Sequence, residues 1–189
     1  MRSPGIDVRP LREITGEALF NEVFLDEVFV PDDCLVGDLH DGWRLARTTL
    51  ANERVAMANT RLSKSAERAV ALAAEGLTPV QNMRVGRAVA LSTVCSLLAV
   101  RSTLRSLAGQ GPGPESSVAK LLGVRNRQDG AELVVSLHGD KIAVGGDLVD
   151  DAVRDDVWEM LNTRCLSIAG GTTQILRNVA GERILGLPR

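Results

Sequence analysis

From Trp43 onward, apolar residues return at three- and four-residue intervals, the spacing that places side chains on one face of an α-helix. Trp43, Ala46, Leu50, Glu53 and Met57 form one stripe. Ala51, Val55, Ala58, Leu62, Ala66, Ala69 and Ala73 form another, roughly opposite and apolar throughout. Further along, Arg61, Lys64 and Arg68 take over the face that Glu53 occupies. A surface helix needs a single apolar stripe. Two in its first half imply a segment wedged between its own bundle and another body, with a carboxylate set into one of the apolar sides.

The same periodicity and its punctuation set out the remaining elements. The first long helix is predicted to run from Trp43 to about Ala74, broken by Gly76 and Thr78-Pro79. Pro79 suits the first turn of a second helix reaching about Leu107. The loop Gly109-Gln-Gly-Pro-Gly-Pro114 leads into a third helix from Glu115 to Leu137, with Val118, Leu121, Leu122 and Val124 facing inward. Gly139 to Asp147 reads as a turn region, and a fourth helix is predicted over Asp151 to Ile168. Gly170-Gly171 interrupts the chain, and a last helix from Thr172 carries Ile175, Leu176 and Val179 on one face. Before all of these, Ile6 to Arg9 and the β-branched and aromatic run Phe20 to Val30 read as two short strands. Two strands make at most a marginal hairpin. The predicted fold is therefore mainly α: an antiparallel α-helical bundle with a short N-terminal β remnant.

Composition narrows the function. A chain of 189 residues with 44% hydrophobic content can bury a real core. A net charge of −2 with scattered basic residues argues against a nucleic-acid partner. The apolar runs are too short to predict a membrane span, and the polar N-terminus has no signal-peptide pattern, so a cytoplasmic protein is expected. Cys34, Cys95 and Cys165 read as reduced, buried thiols, and with only His40 and His138 for company they predict no metal site.

Glu53 admits two readings. As a rim residue it pairs with an arginine or meets water. As the carboxylate of an apolar pocket it is desolvated, its pKa rises, and it accepts a proton from a bound substrate. Arg54, about a third of a turn on, would orient it or meet an anionic substrate group. The second informative stretch is Ile168-Ala-Gly170-Gly171-Thr172-Thr173-Gln174-Ile175. The glycines let backbone approach a ligand closely, and the N–H groups opening the next helix suit polar cofactor atoms. A tight helix–helix turn capped by Gly171 or Thr172 explains the same residues without a ligand.

Taken together, Ile14 to Phe24, Val30-Pro-Asp-Asp33, Leu35-Val-Gly37, Asp41-Gly-Trp43, Leu50-Ala-Asn-Glu-Arg54, Gly170-Gly-Thr-Thr-Gln-Ile175 and Glu182-Arg-Ile-Leu-Gly-Leu-Pro188 resemble the acyl-CoA dehydrogenase family, in the family's order along nearly the whole chain. The resemblance covers the family's C-terminal half. It implies that residues 1–37 are the end of a middle β-domain and 38–189 the C-terminal helical bundle. It also implies FAD as cofactor, an acyl-CoA thioester as substrate, an electron-transfer flavoprotein as electron acceptor, and a homodimer, a tetramer or a heteromer with another acyl-CoA dehydrogenase subunit. In such enzymes a glutamate removes the α-proton while the β-hydride passes to the flavin. In many members that glutamate immediately precedes the Gly-Thr of the last motif, where this chain has Gly170. In members resembling the isovaleryl- and long-chain-type enzymes it stands instead before an arginine on the helix after the β-domain, where this chain has Glu53-Arg54. The resemblance thus implies Glu53 as base, Arg54, Gly170 and Gly171 beside the substrate, and Thr172, Thr173 and Gln174 toward FAD.

Two family stretches are missing. Glu75-Gly-Leu-Thr-Pro79 is too short for the Arg-x-x-Phe-Gly segment that reaches a neighbouring subunit's flavin pyrophosphate. Ser136-Leu-His-Gly139 stands near the place of the Gln-x-x-Gly-Gly-x-Gly segment at the adenine end. These departures, and the absent walls around the flavin, predict weak FAD retention by this stretch alone. They keep open a second expectation: a non-catalytic or degenerate assembly subunit, or a fragment, that associates with a fuller dehydrogenase chain.

Overall fold

A computed structural model describes residues 3–56, 63–111, 113–142 and 150–188, with the side chains of 50–56 outside the described set. The chain divides into two compact units, Met1–Thr48 and Thr49–Arg189. The first holds an antiparallel hairpin of β1 (Ile6–Leu11) and β2 (Phe20–Leu25), in register from Ile6 opposite Leu25 to Leu11 opposite Phe20. Arg9 lies 4.5 Å over the Phe24 ring, an exposed cation–π contact across the ladder. The strand expected over Phe20 to Val30 ends at Leu25, and Phe20 and Phe24 within it and Phe29 beyond it are exposed.

Six α-helices are found among the described residues: α1 (Gly42–Ala56), α2 (Lys64–Ala73), α3 (Pro79–Leu107), α4 (Glu115–Leu137), α5 (Asp151–Asn162) and α6 (Thr173–Arg183). The bounds of α3 and α4 are those the sequence predicts, and the bundle is mainly helical as expected. Thr78 closes the N-terminus of α3 with a capping box: its hydroxyl accepts from Gln81 N–H while the Gln81 side chain accepts from Thr78 N–H at 2.9 Å. Pro79 follows where a missing N–H costs nothing. Replacing Thr78 with Ala is expected to destabilise the bundle by about 1 kcal/mol, read as a lower urea midpoint at unchanged slope.

The single helix expected from Trp43 to Ala74 is interrupted. Ser63 is extended (φ −67°, ψ 145°) and caps α2, its hydroxyl accepting from Ala66 N–H. Its own N–H donates to the buried Ser92 hydroxyl at 2.8 Å, which ties the break to α3. A serine that can cap competes with helix continuation, and periodicity alone does not register that competition. The predicted fourth helix likewise ends early. After α5 the chain tightens into a 3-10 turn, Thr163–Ser167, with the Thr163 side chain wholly buried and bonded to Met160 O at 2.9 Å.

Helix α4 is the hub, in contact with α2, α3, α5 and α6. The core joins Ala69 and Leu72 of α2, Val85 of α3, and Leu133 and Val134 of α4. Gly130 permits the close crossing of α2 over α4, since a Cβ there would stand 3.0 Å from Ser65 Cβ. Arg127 with Glu159 and Arg164 with Glu132 join α4 to α5 and the turn after it at 2.6 Å each.

Three further expectations need correction. Cys34 and Cys165 are exposed and Cys95 is half-buried, so the thiols are free but not core residues; burial raises the Cys95 pKa by disfavouring its thiolate. Second, α3 is long and apolar enough to cross a membrane by length and composition alone. It packs on α2 and α4, with Val85, Ser92 and Ala99 buried. Third, of the α4 residues expected to face inward only Val124 is buried and Val118, Leu121 and Leu122 are half-buried, while Ser117, Lys120 and Asn126 are buried.

Candidate functional site

The turn before α6 is built from the 3-10 segment upward. The N–H groups of Ile168 and Ala169 both donate to Cys165 O at 2.9 Å, which ends the segment. Gly170 (φ 65°) and Gly171 (φ 106°) then take left-handed values that reverse the chain. A φ of 106° is closed to most side chains, so Gly171 is required by backbone geometry. Thr172 is extended (φ −63°, ψ 154°) and caps α6, its hydroxyl accepting from Ile175 N–H. Thr173 Oγ1 reaches Ser167 O at 3.5 Å, a long contact back across the turn. Gly170, Gly171, Thr172 and Thr173 are half-buried, and Gln174 is exposed. Leu176, 1% exposed, anchors the helix one turn on.

A group that the sequence reading overlooked holds this turn from beneath. Lys120 of α4 is 5% exposed, and its ammonium donates to the carbonyl oxygens of Ala169 and, at 2.7 Å, of Gly171. Charge-assisted bonds to two carbonyls offset part of the desolvation of a buried ammonium. One turn earlier on the same helical face, the Ser117 hydroxyl is buried without a hydrogen-bond partner among the described residues. The sequence did carry a signal for Lys120. Ser117, Lys120 and Val124 share a stripe by three- and four-residue spacing, the same anomaly of a charge on an inward face that marks Glu53.

The predicted site residues fall into two groups. Gly170, Gly171, Thr172, Thr173 and Gln174 come together at the head of α6. Glu53 and Arg54 belong to the last turns of α1, and their side chains lie outside the described residues. The donor chemistry at the head of α6 fits a flavin. Backbone N–H groups at a helix start, two hydroxyls and a carboxamide match its carbonyl and ring-nitrogen acceptors, and glycines allow close approach.

A separate cleft of about 370 Å³ lies among α2, α4 and α5, bordered by Lys64, Arg68, Asp155, Asp156, Trp158 and Glu159. Asp156 Oδ2 there accepts from Arg68 Nε at 2.9 Å and stands 2.8 Å from His138 Nε2. His138 belongs to the Ser136–Gly139 stretch singled out in the sequence. It is buried and engaged with Asp156.

Comparison with known proteins bears on the family and the fold. The family described as Acyl-CoA dehydrogenase, C-terminal domain, matches residues 40–185. Acyl-CoA dehydrogenase FadE34 of Mycobacterium tuberculosis is 53% identical over the whole chain, which spans 26% of that protein. Acyl-CoA dehydrogenase IpdE1 of the same organism is 36% identical over 98% of the chain and 49% of its own length. The chain thus spans between a quarter and a half of these relatives. Among solved structures, the Tcur3481-Tcur3483 steroid ACAD G363A variant superposes with a TM-score of 0.87 at 21% identity, over 100% of this chain and 51% of that one. The ChsE4-ChsE5 complex from Mycobacterium tuberculosis superposes at 0.83 and 21% identity, over the same shares. At such identity these two establish the fold. With the match over most of its length, the chain belongs to the acyl-CoA dehydrogenase family and carries its C-terminal helical domain.

Proposed function

We propose that this chain forms the C-terminal part of an FAD-dependent acyl-CoA dehydrogenase that desaturates the Cα–Cβ bond of an acyl-CoA thioester. The observation that carries the reading is Gly170. It stands in a left-handed turn at the head of α6, in the position where many family members carry the base, and it has no side chain to take a proton. The α-proton is then taken by Glu53, presented from α1 beside Arg54, which orients the carboxylate. Gly170 and Gly171 leave room for the thioester, and Thr172, Thr173 and Gln174 hold the polar edge of the flavin. FAD, when bound, supplies the hydride acceptor, and an electron-transfer flavoprotein takes the electrons onward. The protein's contribution is position, the exclusion of water and a carboxylate poised to accept a proton.

The test uses the full-length protein, purified with its bound flavin and mixed anaerobically with a panel of straight-chain, branched and polycyclic acyl-CoA thioesters. Loss of the oxidised-flavin absorbance with at least one thioester is the expected result. A flavin that stays oxidised throughout the panel would refute the dehydrogenase reading.

A second reading rests on His138. At the stretch near the place of the family's adenine contact, this residue is turned into the bundle and bonded to Asp156. That favours a subunit sharing the flavin site of a paired dehydrogenase chain. The exposed side of α3 supports assembly in either case: Leu97, Val100, Leu104 and Leu107 follow one helical stripe and are exposed. Co-purification with a second dehydrogenase chain, and flavin at half the number of chains, is the expected signature of this arrangement.

A further inference from the structure

We propose that Lys120 is a positioning residue for the dehydrogenation, setting the glycine turn against the acyl thioester and the flavin. The inference rests on the dehydrogenase reading above, but its geometry stands on its own. Lys120 draws in the carbonyls on either side of Gly170, those of Ala169 and Gly171. In a trans peptide the N–H points opposite to the C=O, and the chain has no cis bonds among its described residues. Holding those two carbonyls toward α4 therefore turns the N–H groups of Gly170 and Thr172 away from it, to the outer side of the turn. These are the residues at which substrate and flavin are proposed to meet.

Glycines supply the left-handed conformations but do not enforce them, since glycine visits many others at little cost. Two consecutive glycines leave the orientation of three peptide planes soft. An ammonium 5% exposed, bonded to the first and last of those planes, removes that softness. The choice of side chain fits the task. Lysine has three donors on one atom, so a single group can bond two carbonyls that converge on it. An apolar residue of the same length would fill the space and leave both oxygens unpaired.

The experiment compares the wild-type full-length protein with Lys120→Met, which keeps the length of the stem, and Lys120→Gln, which is polar, uncharged and one atom shorter. Two measurements are made on each: steady-state kcat and KM with an acyl-CoA that reduces the wild-type flavin, and hydrogen–deuterium exchange over residues 168–174. In Lys120→Met, kcat is expected to fall by roughly 100-fold, the scale of an ångström-sized misplacement, with KM moving much less. Exchange should rise at Gly170 to Thr172 while the core amides around Leu133 and Leu176 keep their protection. Lys120→Gln should fall between the two, and it carries the test alone should the Met variant not fold. Wild-type kcat in either folded variant, or unchanged exchange in the turn, overturns the proposal. A rise in exchange across the whole bundle with kcat and KM moving together also overturns it, since that is the pattern of a structural role. Should the wild-type protein itself reduce no flavin with any thioester, the dehydrogenase reading fails separately. Exchange in the variants still decides whether Lys120 holds the turn.

Discussion

Replacing Glu53 with Gln in the full-length protein is expected to lower kcat by on the order of 10³-fold while flavin content and thermal midpoint stay at wild-type values. The range for a positioned general base is roughly 10²- to 10⁴-fold, and Gln keeps the shape and polarity of the side chain while losing the proton acceptor. KM should change little, because the carboxylate acts in the transition state more than in ground-state binding. Turnover within a few-fold of wild type would remove Glu53 from the role. A companion variant separates the two possible origins of a base. Gly170→Glu, introduced into the Glu53→Gln background, returns a carboxylate to the turn before α6. At φ 65° a side chain there is strained by roughly 1–2 kcal/mol, tolerable for a single position. Partial recovery of turnover is expected. A protein that folds, binds flavin and stays inactive would place the turn out of reach of the substrate α-carbon.

The second large effect concerns assembly. Leu97 and Leu104 are 64% and 61% exposed on one stripe of α3. A double substitution to Glu is expected to reduce the full-length protein to smaller species by light scattering, with the helical circular-dichroism signal unchanged. Burying a leucine contributes about 1.5–3 kcal/mol, so two lost leucines raise the dissociation constant roughly 100- to 10,000-fold. Two carboxylates that would have to be desolvated in the interface add to this. An unaltered mass for the double variant would show that this stripe faces no other chain.

The bundle was legible where one physical signal dominates. Thr78-Pro79 marks the start of α3, and the Gly-Pro run followed by Glu115 marks that of α4; both fall where the sequence places them. Reading failed where two local preferences compete. The apolar stripe runs past Ser63 from Leu62 to Ala66, and the cap made by the Ser63 hydroxyl, with the Ser63 N–H donating to the Ser92 hydroxyl, wins over helical continuity. The 3-10 segment at Thr163 owes its form to a buried hydroxyl contact that spacing does not encode. At the candidate site, the glycines and Thr172 were readable because left-handed turns and caps demand particular residue types. Lys120 was marked only as a charge on an inward stripe; its task was not legible, because its partners are backbone carbonyls about fifty positions away, and carbonyls leave no mark in a sequence. The thiols expected to be buried are mostly at the surface, since a residue count carries no coordinates.

The extended Ser63 has a bearing on how such a domain can diverge. In an unbroken helix, one inserted residue upstream would swing every later side chain by roughly 100° and turn Ala66, Ala69 and Leu72 out of the interior. With the spiral restarted at Ser63, and that restart pinned by a hydroxyl from α3, an insertion before it leaves Ala66, Ala69 and Leu72 facing inward. The helical phase of α1 is thereby uncoupled from that of α2, and α1 can change in length without a rebuilt α2 face.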